Sequence, residues 1–174
     1  GLMWEPRGHA DMYGAVITEP QSEGADFGTF FLHNEGYSTM CGHAIIALTK
    51  LVLDTGMIEK AGDSPELIID APPGKIRAFA KRIKGVVSQV SFLNVPSFVY
   101  ALNNEIVIEG IGNVHFDIAY GGAFYAFVDA DSIGLNLDSL NYLQQIDWGR
   151  KIKLAIMDSV EIKHPFEEDL SFLY

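Results

Sequence analysis

Cys41, the only cysteine in the chain, stands between Met40 and Gly42-His43 at the head of an apolar run, Ala44-Ile45-Ile46-Ala47-Leu48. In the first turn of a helix a cysteine has chemistry open to it. Unpaired backbone amides and the positive end of the helix dipole favour the thiolate, and the same amides hold an anion such as a carboxylate. The competing reading is structural, because a lone cysteine is commonly a small buried hydrophobe. The neighbours favour chemistry: Gly42 lets a ligand approach the backbone, His43 supplies a donor or acceptor nearby, and Ser38-Thr39 offer hydroxyls that cap the helix.

A second polar cluster, Glu5-Pro6-Arg7-Gly8-His9, gathers a carboxylate, a cation and an imidazole around a permissive glycine. The favoured reading is a solvated loop with an internal Arg7–Glu5 pair. Five histidines and Cys41 raise the question of a metal, but no Cys-x-x-Cys, His-Glu-x-x-His or acidic calcium loop is present, so none is expected. Nucleotide-binding glycine motifs and the Gly-x-Ser-x-Gly elbow of a serine hydrolase are also missing. Gly121-Gly122, set among aromatics, is either a hairpin turn or a place where backbone approaches a flat ligand.

The elements that must position these groups follow from local pattern. Strands are predicted over 12–18 and 27–33, then an apolar helix from Cys41 to Leu53 that belongs inside the fold, with Gly56 as its stop. Further strands are predicted over 66–70, 75–83, 86–94, 105–108, 115–120 and 123–128, separated by glycine and proline turns. The last element, 139–160, carries Leu140, Leu143, Ile146, Ile152, Ile156 and Val160 at helical spacing, with Gly149 as a point where it could break and Pro165 as its limit. Many short strands around one apolar helix predict an α/β (α+β) class with a curled, mainly antiparallel sheet.

With 48% hydrophobic and 20% charged residues, 174 residues are enough to fill a core. The net charge of −11 argues against a nucleic-acid partner or an anionic membrane surface. One cysteine and the absence of an apolar leader fit a reducing cytoplasm. Gly1 at the start and the apolar stop Leu170-Ser171-Phe172-Leu173-Tyr174 predict a fragment, with a single domain over 1–174.

Taken together, Glu5-Pro6-Arg7-Gly8-His9, Asp11-Met12-Tyr13-Gly14, Met40-Cys41-Gly42-His43 and Asp117 to Phe127 resemble the proline racemase superfamily nearly end to end. The resemblance implies a diaminopimelate-epimerase-like fold of two similar halves, each with strands around a central helix and the substrate between them, working without a cofactor and as a homodimer. It implies that 1–174 is a single N-terminal-half domain, lacking the opening strand and the second half. Tyr13, where racemases carry Phe, together with 33–38, 119–125 and 169–174, is similar to the trans-3-hydroxy-L-proline dehydratase branch. Carried over, Cys41 matches the first catalytic cysteine, Gly42 and His43 match substrate-binding positions at the carboxylate and ring nitrogen, and Tyr13 matches a residue lining the ring of the imino acid.

The expected function is therefore dehydration of trans-3-hydroxy-L-proline, with Cys41 removing the α-proton. One rival is a proline racemase or 4-hydroxyproline 2-epimerase, which needs a second cysteine on the other face. Another is a non-catalytic half that docks a partner domain.

Overall fold

Phe27 and Phe31, Leu67 and Ile69, and Ile76, Ala78 and Ala80 recur at alternate positions in successive segments, the period at which side chains share one face of a sheet. The computed structural model, which describes residues 1–174, builds that sheet within the first of two compact units, Gly1–Val95 and Pro96–Tyr174.

In the first unit the strands are β1 (Tyr13–Thr18), β2 (Phe27–His33), β3 (Gly36–Ser38), β4 (Glu66–Ala71), β5 (Gly74–Ile83) and β6 (Val86–Leu93), and the helix is α1 (Gly42–Asp54). The sheet order is β1-β2-β4-β5-β6 with β3 paired to β2, and every pairing is antiparallel except β2 with β4. Ile45, Leu48, Val52 and Leu53 of α1 join the alternating residues of the strands in one buried cluster. Because Ile45 is fully enclosed, truncating it to alanine removes about 2–5 kcal/mol of stability.

The sheet covers one side of α1 only. Ile46 and Leu51 are 40% and 45% exposed, so the helix expected to lie wholly inside is open on its outer face in this chain. β3 was not expected, because three residues carry too little alternation to register as a strand. Gly56 does follow the helix end, at φ +72°, the left-handed conformation glycine adopts freely.

The second unit holds β7 (Phe98–Ile108), β8 (Gly112–Tyr120) and β9 (Phe124–Phe127) in one antiparallel sheet, with α2 (Tyr142–Ser159) packed on β7. Gly121-Gly122 is the turn of the β8–β9 hairpin, and Tyr120 faces Phe124 across it. β7 starts seven residues before the expected strand, and its two register shifts, on either side of Ala101, break the alternation that would have announced it. α2 runs unbroken through Gly149 and ends at Ser159, short of Pro165. One internal glycine costs only about 1 kcal/mol against alanine, too little to interrupt eighteen residues. Only its second half is covered: Ile152 and Ile156 are buried, whereas Leu143 and Ile146 stay exposed, as does Leu140 in the short 3-10 turn Ser139–Asn141 before it. No helix is long and apolar enough to cross a membrane.

Candidate functional site

Strand directions decide which side chains share an end of the first unit. β2 runs parallel to β4, and β4 to β5 to β6 are two antiparallel steps, so β6 points the same way as β2. The start of α1 lies near the C-terminal end of β6, because a Cβ placed on Gly42 would sit 2.9 Å from Cζ of Phe92. Its last turn lies near the beginning of β6, where the Asp54 carboxylate accepts from the Val87 amide at 2.9 Å. α1 therefore runs against β6, and Cys41-Gly42-His43 stand at the end of the sheet where β2 finishes.

At that same end β2 carries His33, which is in register with Tyr13 on β1. Tyr13 shares its face with Ala15 and Ile17, both packed against the core cluster that includes α1. Its ring stacks on His33, with centroids 6.1 Å apart and planes 20° apart. The four residues singled out for chemistry thus come to one end and one face of the sheet. Sequence spacing could not show this, because it depends on strands contributed by residues up to Phe92.

Cys41 is the N-cap of α1, one position outside the first turn, with extended backbone (φ −142°, ψ 107°). The residue is half-buried, and its carbonyl accepts from the Ile45 amide at 3.0 Å. The Cys41 side chain makes no capping hydrogen bond, and the Ser38 hydroxyl donates to the Met40 carbonyl at 3.2 Å. His43 is exposed in the first turn.

The Glu5–His9 cluster belongs to this end as well, through a residue that pattern reading passed over. Asn34, directly after β2, donates from its side chain to the carbonyls of Met3 and His9. Its own carbonyl accepts from the indole of Trp4 at 2.9 Å. The internal Arg7–Glu5 pair does not form; Nε of Arg7 donates to the Gly1 carbonyl at 3.0 Å. Asn34 anchors a loop twenty-five residues earlier, a contact that local pattern does not encode. Phe92, which walls Gly42, gave no signal beyond a strand residue. No group of three His, Cys, Asp or Glu side chains is placed to hold a metal ion.

Ionisation is perturbed elsewhere. Asp54 lies below the ordinary carboxylate value because Lys50 donates to it and the Val87 amide adds a second bond. For Asp70, burial opposes ionisation, but the amides of Ser22 and Gln21 outweigh it and its value is also lowered. In the second unit, burial raises the phenol of Tyr120.

The proline racemase family model matches residues 1–174. A trans-3-hydroxy-L-proline dehydratase of Colwellia psychrerythraea is 54% identical over 173 residues, which cover 99% of this chain and 49% of that protein. A trans-L-3-hydroxyproline dehydratase of Xenopus tropicalis is 44% identical over 174 residues, covering 99% of this chain and 50% of that protein. Among solved structures, a hydroxyproline epimerase from Agrobacterium vitis with bound trans-4-hydroxy-L-proline matches with a TM-score of 0.94 at 29% identity, covering 99% of this chain and 50% of that one. The chain spans about half the length of the curated relatives it matches, so it corresponds to one half of a two-domain fold.

Proposed function

This chain belongs to the proline racemase family, and we propose that the whole protein is a trans-3-hydroxy-L-proline dehydratase that works without a cofactor. The observation that carries the reading is the 54% identity to a relative of that name across 99% of this chain.

In this mechanism the carboxylate of the imino acid meets the first-turn amides at Gly42 and His43, where an anion finds orphan donors and the positive end of the dipole. The imidazole of His43 stands near the ring nitrogen, and Tyr13 lines the ring. The Cys41 thiolate takes the α-hydrogen as a proton, and the electron pair left on the α-carbon forms a double bond to C3. The C3–oxygen bond breaks, the hydroxyl departs with a proton as water, and pyrroline-2-carboxylate remains. Helix-start amides stabilise the charge that develops next to the carboxylate during proton removal. A single base suffices for this elimination, whereas inversion of the α-carbon needs a second acid on the opposite face.

A second reading is favoured by the solved neighbours. The match to a hydroxyproline epimerase supports the same proton removal followed by return from the other face, with a second cysteine from the half not present here. Incubating the whole protein with trans-3-hydroxy-L-proline, trans-4-hydroxy-L-proline and L-proline separates the two. Imine formation from the first substrate alone is expected. Deuterium exchange with inversion of either of the others, and no imine, would make the protein an epimerase or racemase.

A further inference from the structure

Asn34 uses both hydrogens of its side-chain amide on one loop. One goes to the Met3 carbonyl and the other to the His9 carbonyl at 2.9 Å, while the Trp4 indole returns a bond to the Asn34 carbonyl at 2.9 Å. The loop is also closed on itself, with the Gly8 amide donating to the Trp4 carbonyl at 2.8 Å. The closure is tight: a Cβ on Gly8 would lie 2.3 Å from the Met3 carbonyl carbon. Residues on both sides of the loop are thus tied to one point at the end of β2.

The carbonyl that Asn34 grips is the one that starts the approach to β1. It also accepts from the Met12 amide at 3.3 Å, and Met12 immediately precedes Tyr13. Between them Asp11 sits at φ +65°, a conformation that a non-glycine residue holds only where its surroundings enforce it. On the far side of the strand, Met3 packs over Gly14, where a Cβ would be 3.4 Å from Cε of Met3. Tyr13 is flanked on both sides by segments that Asn34 tethers, and the ring it stacks on, His33, is the residue before Asn34.

From this connectivity we propose that Asn34 is a positioning residue that sets the angle of the Tyr13 ring toward the imino-acid substrate, a role that rests on the reading of Tyr13 as a ring-lining residue. Only a side chain with two N–H donors fills the role. An aspartate of the same shape is an acceptor facing two carbonyl oxygens, and it releases the loop.

The test is made in the whole protein. Asn34→Asp raises KM for trans-3-hydroxy-L-proline on the order of tenfold, with kcat changed by no more than about twofold. Combined with Tyr13→Ala, it adds nothing to the loss caused by Tyr13→Ala alone, as expected of two residues acting as one unit. Amide exchange at Gly8 and Met12 speeds up in Asn34→Asp, while the amides of α1 keep their protection. A fall in kcat at constant KM, additive losses in the double variant, or unchanged exchange at Gly8 and Met12 would each overturn the proposal. Lost protection in α1 would also overturn it, by making Asn34 a residue of the general fold. Because exchange needs no substrate, an inactive wild type, which would sink the dehydratase reading, is distinguishable from a failed tether.

Discussion

The two ends of α1 are treated in opposite ways. At the last turn, Asp54 accepts from Lys50 Nζ at 2.6 Å and from the Val87 amide at 2.9 Å, and Lys50 also donates to the Val87 carbonyl at 2.7 Å. The amide and hydroxyl of Thr55 both donate to the Leu51 carbonyl. At the first turn the N-cap is a cysteine whose side chain makes no capping hydrogen bond, and the residue beneath it is a glycine against Phe92. A hydroxyl or carboxylate in the N-cap position itself contributes about 1 kcal/mol, which the cysteine forgoes. In the proposed mechanism the first-turn donors at this end meet the substrate carboxylate.

The sharpest way to break this contrast is Cys41→Ser in the whole protein. Turnover of trans-3-hydroxy-L-proline is expected to fall by roughly a thousandfold or more, with the melting temperature held or raised by a few degrees, because serine is too weak a base but a better N-cap than cysteine. Full retained turnover would remove Cys41 from the chemistry. Gly42→Ala comes next. Its methyl group must displace the tip of the Phe92 ring, and KM should rise on the order of tenfold with the melting temperature moving by less than about 3 °C; an unchanged KM would show that this backbone is not a ligand surface.

At the other end the expected effect is on stability alone. Asp54→Asn, which loses the charge that Lys50 meets, should lower the melting temperature by roughly 2–4 °C and leave kcat and KM as they are. A kinetic defect without a thermal one would reverse the assignment of the two ends. The smallest effect is the response to acid. Asp54 and Asp70 both have folded values below their ordinary 3.8. Their contribution is therefore complete above about pH 4 and is lost as pH falls through the lowered folded values. Thermal melts between about pH 5 and pH 2 should show this decline, and it should be shallower in Asp54→Asn. An identical decline in the two proteins would remove Asp54 from the acid response.

Legibility from sequence followed the strength of the local signal. The apolar helix, its Gly56 stop, and the strands of 66–71, 74–83 and 86–93 were readable within a residue or two, because their periods are uninterrupted. β3 was too short to read, and the early part of β7 was hidden by its bulges. Cys41 could be singled out by its neighbours, and Tyr13 only by resemblance. Asn34 and Phe92 escaped both routes, since each matters through a contact with a segment far away in the chain.

What residue order alone determined here is chemistry and period: a lone cysteine ahead of a glycine and a histidine, at the head of an apolar helix. The tertiary structure decided direction. Two antiparallel steps and one parallel pairing turn β6 the same way as β2, and this brings the start of α1 to the end of the sheet that carries Tyr13 and His33. No local propensity encodes that outcome, because strand direction is settled by which segments bury their apolar faces together.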